Sequence, residues 1–209
     1  MFFVRLFSLV CILSAFFLSQ QARLVSAQST FDQSVYQTTG VFIFPSLTVT
    51  AWTTDEFDIS REYGGGGGIG FGYGITKRFS LFANAIGGTL QREGTEDAYS
   101  LAHLDLGARA TLGSESSKWK YIFDVMVSGI SMENAFPKPE VELEGRIYSL
   151  GAGVQYFVKG PIALQAHVTA GAGNFNDFRL DQEEIELNTI DRAFKTSRFS
   201  LSIVWFAMQ

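Results

Sequence analysis

The chain has 209 residues, the size of one moderate domain, with 16 Lys and Arg against 21 Asp and Glu and a formal net charge of −5. Scattered basic residues on an acidic chain leave no electrostatic footprint for nucleic acid, which excludes that partner. Gly (21) and Phe (20) are both abundant, only 18% of residues are charged, and windows of 3.6-residue apolar spacing are missing, so a helical domain is excluded too.

The first segment reads as a processing signal. Arg5 precedes an apolar run from Leu6 to Leu18, and Val25-Ser26-Ala27 supplies small residues at a cleavage position. The run is too short to span a bilayer as a helix, which needs about 20 residues. Cleavage is predicted after Ala27, giving a mature chain that starts at Gln28 with a net charge of −7. The only cysteine, Cys11, leaves with the signal, so neither disulfide nor thiol chemistry is expected. Residues 28–38 read as a short periplasmic N-terminal segment ahead of a barrel domain covering 39–209.

From there the dominant signal is period-two alternation, which predicts strands at Thr39–Trp52, Gly66–Ile75, Phe79–Leu90, Ala98–Leu112, Trp119–Met132, Glu144–Val158, Ile162–Phe175 and Ala193–Phe206. Each reaches the 9–11 residues that a tilted strand needs to cross a membrane. The glycine-rich stretch between Gly64 and Gly74 satisfies the dinucleotide spacing G-x-G-x-x-G at Gly65, Gly67 and Gly70, but no helix follows it, so that reading fails. Instead Gly66, Gly68, Gly70, Gly72 and Gly74 share one strand face, opposite Ile69, Phe71, Tyr73 and Ile75. Gly64 and Gly65 are expected to close the first loop.

Connections alternate in length. Short ones are expected at Thr76–Arg78, Gly113–Lys118 and Lys159–Pro161. Longer polar ones are expected at Ala51–Gly65, Gln91–Asp97, Glu133–Leu143 and Asn176–Arg192. This is the pattern of an all-β, eight-stranded, antiparallel up-and-down transmembrane β-barrel with short periplasmic turns and longer extracellular loops.

The faces agree. Leu104, Leu106, Ala108, Ala110 and Leu112 oppose His103, Asp105, Gly107, Arg109 and Thr111. Trp119, Tyr121, Phe123, Val125 and Val127 oppose Lys120, Asp124 and Ser128. Further on, Ile162, Leu164, Ala166, Val168 and Ala170 oppose Ala163, Gln165, His167, Thr169 and Gly171, while Phe199, Leu201, Ile203 and Trp205 oppose Arg198, Ser200 and Ser202. Periodicity alone leaves open a soluble barrel with the apolar face inside. The polar face, mainly Gly, Ser, Thr and Gln with isolated charges, fits a narrow lumen better than a solvated surface. Trp52, Tyr73, Phe79, Trp119, Tyr121, Tyr148, Tyr156 and Trp205, near strand ends, read as girdles at the two membrane interfaces.

The segments "GIGFGYGITKRFSLFANA", "AHLDLGARATLG", "LGAGVQYFVKGPIALQAHVTAG" and "SRFSLSIVWF", together with the signal, resemble the small outer-membrane β-barrel family. Its members include the eight-stranded opacity and attachment proteins and the OmpA transmembrane domain. The resemblance covers most of the mature chain and implies residence in the outer membrane of a Gram-negative-type bacterium. It also implies contact with outer-membrane lipid and lipopolysaccharide, and a last strand whose aromatics Trp205 and Phe206 are read by the outer-membrane assembly machinery. Ala207-Met208-Gln209 follow Phe206, where chains of that family usually end on the aromatic. An internal repeat at a shift of 83 residues lays Gly68–Tyr73 on Gly151–Tyr156, Phe79–Leu81 on Ile162–Leu164, and Asn84 on His167.

Candidate function lies in two places. His103, Asp105, Arg109, Asp124, His167 and Arg198 form a candidate polar cluster in the lumen, where two arginines and two aspartates would neutralise one another and plug the barrel. Asn176–Arg192 carries six acids, Asp177, Asp181, Glu183, Glu184, Glu186 and Asp191, and reads as a solvated loop or a surface contact bridged by divalent cations. The leading reading is a monomeric, non-catalytic envelope or surface-interaction protein needing no cofactor and no metal. A narrow channel for small or apolar solutes is the second reading. A lipid-modifying enzyme is the third, because His167 and Thr169 are similar to the His-x-Ser pair of lipid A deacylases. Thr replaces Ser there, and no orienting acid can be identified from spacing.

Overall fold

The computed structural model describes residues 36–54, 59–91, 98–134, 141–180, 183–184 and 193–207. The expected signal, the Pro-containing stretch 136–140, the acids Asp181, Glu186 and Asp191, and the last two residues lie outside them. Eight long strands make up the fold: β1 Gly40–Thr54, β2 Ile59–Gly74, β3 Phe79–Gln91, β4 Ala98–Leu112, β5 Trp119–Asn134, β6 Val141–Lys159, β7 Ile162–Leu180 and β8 Ala193–Ala207. Each pairs antiparallel with its neighbours in sequence, and β8 closes on β1 through pairs such as Ser46↔Ser202 and Phe42↔Phe206. A two-residue strand, Glu183–Glu184, extends the end of β7. The result is a closed, all-β, up-and-down barrel.

Strands here run past the expected limits. β2 begins at Ile59, and Gly64 and Gly65, expected to close a loop, pair with Thr50 and Val49 on one side and with Leu90 and Thr89 on the other. β5 and β6 stay paired out to Glu133↔Glu142, and β6 and β7 out to Val141↔Leu180. Residues 55–58, 92–97 and 135–140 are all that separate the first three hairpins at that end, so the expected difference in connection length holds clearly only for 181–192. The physical reason is simple. Beyond the lipid, a strand has no need of an apolar outward face, so its period-two signal fades while its backbone ladder continues.

At the other end the turns are tight. Gly160 adopts φ 51° in the β6–β7 turn, a left-handed conformation that favours glycine. Thr38 donates from Oγ1 to the Lys77 carbonyl at 2.8 Å, and the Tyr36 amide donates to the Glu115 carbonyl at 3.0 Å. Residues 36–39 are thereby tied to the short-turn end of the barrel.

Alternation sorts the wall as expected. Leu47, Val49, Phe71, Leu106, Val125, Leu150, Val168 and Leu201 are each more than half exposed on the outside. A monomeric soluble protein rarely exposes so large an apolar surface. The apolar face is the outer one, which removes the soluble alternative and makes this a membrane barrel. Tyr73, Phe79, Trp119, Tyr121 and Trp205 ring the short-turn end, and Tyr63 and Tyr148 are exposed near the other. Trp52 is the exception: it was expected in a girdle but points inward and is 4% exposed. Because β2 starts early, Glu62 lies opposite it, and the Trp52 indole N–H is shared between Glu62 Oε2 (2.9 Å) and the Tyr99 hydroxyl (3.1 Å).

Candidate functional site

The lumen is filled in three layers, and polar residues dominate only the middle one. At the short-turn end Phe42, Phe44, Phe82, Met126, Phe157 and Phe206 form an apolar plug, with Tyr36 packed against it from the N-terminal side. At the loop end Trp52, Leu90, Leu101, Ile130, Phe175 and Phe194 form a second apolar layer. The expectation of an inward face mainly of Gly, Ser, Thr and Gln with isolated charges fits the middle layer and did not include these two apolar layers. The inward residues near the strand ends are aromatic and aliphatic, a property that face alternation in the strand centres does not reveal.

The lower plug depends on glycine. Phe42 and Phe44 lie opposite Gly72 and Gly70 across the β1–β2 ladder, and Phe82 lies opposite Gly107 across β3–β4. A Cβ on any of these three glycines would run into the facing ring. Inward Gly and inward Phe therefore form complementary cross-strand pairs, a close approach that only glycine permits.

The middle layer assembles five of the six candidate lumen residues. Arg109 on β4 donates from Nε and Nη2 to both oxygens of Asp124 on β5, at 2.9 and 2.8 Å, and from Nη1 to Gln165 Oε1 on β7 at 2.9 Å. Arg198 on β8 reaches across the lumen to Asp105 on β4, donating from Nη1 and Nη2 at 2.8 and 3.1 Å. Asp105 also accepts from Ser128 Oγ at 2.6 Å and more weakly from Asn84 Nδ2 at 3.4 Å. Arg198 Nε donates to Thr169 Oγ1 at 3.3 Å. His167 brings Nε2 to within 3.2 Å of Asp124 Oδ2, its ring lying over Gly151 and Gly153 of β6. All four charged residues are at most 4% exposed. Two bidentate pairs therefore neutralise the layer, as buried charges require. The pairs are Arg109–Asp124 and Arg198–Asp105, not Asp105 with its strand neighbour Arg109.

His103 is the candidate left apart. It is 2% exposed and lies higher in the barrel, near Ile86, Leu90 and Gly64–Gly66, and among the described residues neither ring nitrogen has a hydrogen-bond partner. Voids beside the ionic layer and beside His103 measure about 20 and 10 Å³, of the order of one water molecule. The Arg109 guanidinium also stands 5.0 Å from the centre of the Phe82 ring, joining the ionic layer to the plug beneath it.

The fold supplies an acid beside His167, namely Asp124, that spacing could not reveal. Thr169, the expected nucleophile position, has its hydroxyl engaged by Arg198. Among the described residues, no group of three or more His, Cys, Asp or Glu is placed to hold a metal ion. The last-strand aromatics divide: Trp205 faces outward and Phe206 enters the plug, stacking on Phe157 with ring centres 5.5 Å apart.

No protein-family model matches the chain, and no curated protein matches its sequence. Among solved structures, Neisserial surface protein A superposes with a TM-score of 0.62 at 12% identity, over 80% of this chain and 97% of that one. Ail, the attachment invasion locus protein of Yersinia pestis, superposes with a TM-score of 0.52 at 9% identity, over 80% and 98%. At such identities the likeness is one of fold, and that fold is the eight-stranded outer-membrane β-barrel.

Proposed function

We propose that this barrel resides in the outer membrane of a Gram-negative-type bacterium as a monomeric, non-catalytic element of the envelope, plugged along its axis and presenting its loop end outward. The observation that carries the reading is the filled lumen: a buried, charge-balanced layer between two apolar ones, with voids of only about 20 and 10 Å³. An eight-stranded barrel is just wide enough to be filled by side chains. Neither a solute path nor access to His167 is consistent with that packing, so it supports a structural or surface-contact role over transport or lipid chemistry. The last strand, with Trp205 and Phe206 near its end, serves as the segment offered to the outer-membrane assembly machinery.

Conductance decides between the plug and a pore. The purified barrel in planar bilayers is expected to give no stable single-channel steps. A persistent open channel of nanosiemens size would reject the plug. Folding is checked alongside by heat-modifiable gel migration, which a closed barrel displays and a misfolded chain does not.

A further inference from the structure

A recess in the described molecule lies not in the lumen but on the outer wall. It has a volume of about 420 Å³ and crosses β6, β7 and β8 near their loop ends. The ladder explains its shape. Tyr148, Ala172, Lys195 and Thr53 stand in one row across four strands, and Arg146 and Asn174 stand in the next row toward the loops. Small residues, Ala172 and Gly173, form the floor, while Arg146, Tyr148 and Lys195 rise around it. The parity that sends Ile147, Phe175 and Phe194 into the lumen sends Arg146, Tyr148, Asn174 and Lys195 outward.

Two features give the recess a chemical preference. Among the described residues its lining carries two cations and no carboxylate, although the chain as a whole is acidic. Neither Arg146 nor Lys195 makes an ion pair among the described residues. The recess also lies directly above the apolar belt. The row beneath it is Leu150, Ala170, Ser197 and Ala51, and the next is Ala152, Val168, Phe199 and Val49. A cation pair at this height meets the level where acyl chains end and headgroups begin. Arg146 and Lys195 are two strand spacings apart and offset by one row, roughly 12 Å between backbones, a gap that their long flexible side chains can close around one phosphate.

We propose that this groove binds the phosphate-bearing headgroup of an outer-leaflet lipid, with Arg146 and Lys195 taking the phosphate and Leu150, Val168 and Phe199 supporting the first part of the acyl chains. Arg146 supplies planar, paired donors suited to phosphate oxygens, and Lys195 supplies a point charge. Tyr148, 71% exposed, presents a ring at the same level, where an aromatic with a polar tip is favoured. The proposal rests on the outer-membrane orientation given above, with the loop end in the outer leaflet.

The test uses the full mature chain folded into phosphatidylcholine vesicles that contain a minor fraction of bisphosphorylated lipid A. The protein is then extracted in mild detergent, and retained lipid A is counted by mass spectrometry. Arg146→Gln and Lys195→Gln are each expected to lower retention about fivefold, and the double variant more, the effect of losing one or two cations at a lipid surface. Lys118→Gln/Lys159→Gln, an equal charge change among exposed lysines at the short-turn end, is expected to leave retention unchanged. Lipid A stripped of its phosphates is expected to be retained poorly by every form. Undiminished retention by the double variant, equal retention of the dephosphorylated lipid, or displacement by millimolar inorganic phosphate would each overturn the proposal. Heat-modifiable migration of every variant separates loss of binding from loss of fold. Protease cleavage of the loop end on intact cells tests orientation by itself, so failure of that premise is told apart from failure of the site.

Discussion

In the short-turn half of the lumen, Phe42 lies on Gly72, Phe44 on Gly70 and Phe82 on Gly107, every pair formed between adjacent strands. In the middle, Arg198 crosses from β8 to Asp105 on β4, and Arg109 on β4 joins Asp124 on β5 to Gln165 on β7. One region fills space by local shape, ring against bare backbone. The other fills it by charge: Arg109 and Asp124 are register partners on adjacent strands, while Arg198–Asp105 and Arg109–Gln165 link walls that share no ladder. The aromatic pairs are satisfied as soon as a hairpin takes its register. The Arg109–Asp124 pair forms with the β4–β5 register, but the Arg198–Asp105 pair is satisfied only when the barrel closes, and a slip of one residue in either strand would turn a charge toward lipid.

Mutations can break this contrast from either side. The largest effect is expected in the ionic layer. Asp105→Ala leaves the Arg198 guanidinium buried without its counter-charge, a loss of about 3–5 kcal/mol. Urea unfolding in lipid vesicles, followed by tryptophan fluorescence, measures it. The double change Asp105→Leu with Arg198→Met removes both charges and is expected to recover most of the loss, because apolar replacement of a buried pair is often neutral. Should Asp105→Ala cost no more than an outward polar change such as Asn174→Ala, the layer is not holding the barrel together.

The aromatic region is expected to respond to added volume rather than to lost charge. Gly70→Ala places a methyl where the Phe44 ring lies and is expected to destabilise by about 1–3 kcal/mol, the usual cost of overpacking. Phe44→Leu in the same chain vacates that space and is expected to relieve part of the cost. Equal costs for Gly70→Ala with and without Phe44→Leu would mean that the ring and the glycine are not coupled.

The contrast also explains how much could be read from the sequence. Strand number, order and facing followed from alternation, because every membrane-level outward residue must be apolar and the wall has only two faces. Membership of the polar cluster followed as well, since Asp105, Arg109, Asp124, His167 and Arg198 share the inward parity. The pairing did not. Asp105 and Arg198 are brought together by closure across the lumen, a distance that strand alternation does not encode, and Asp124 meets His167 across the glycines of the intervening strand β6, which requires the β5–β6–β7 register. The aromatic layers were missed for a different reason. Phe42, Phe44 and Phe157 lie on strands whose two faces were not sorted from the sequence, and Trp52 was read into a girdle as an aromatic near a strand end, while its partner Glu62 was read as loop. The legible signal for the plug is the juxtaposition of inward Phe with inward Gly, visible only once the strands are set in register.

Smaller changes refine the picture. Ser128→Ala removes the 2.6 Å hydrogen bond to Asp105 but leaves both Arg198 bonds in place. The expected loss is about 1 kcal/mol, the net worth of a typical single hydrogen bond. If Asp105→Ala and Ser128→Ala cost the same, Arg198 contributes nothing beyond a neutral partner.

The smallest effect is expected outside the lumen, where an ion pair is bathed in water. Lys77 Nζ meets Glu115 Oε2 at 2.8 Å across the short-turn end, with both side chains more than half exposed. The hydrogen bond from Lys77, followed by its charge and those of Lys120 and Arg78, holds the Glu115 carboxyl below the ordinary glutamate range. A carboxyl depressed on folding contributes stability that is fully present above its unfolded pKa, about 4.3, and is lost as pH falls through the folded value. At neutral pH, Lys77→Ala is therefore expected to leave unfolding within experimental error, because exposed pairs are screened. Any difference between Lys77→Ala and the parent is present above the glutamate range, and the two unfolding curves converge as the solution is taken below it. A dependence as large as that of Asp105→Ala would mean that the short-turn rim, and not the ionic layer, holds the barrel closed.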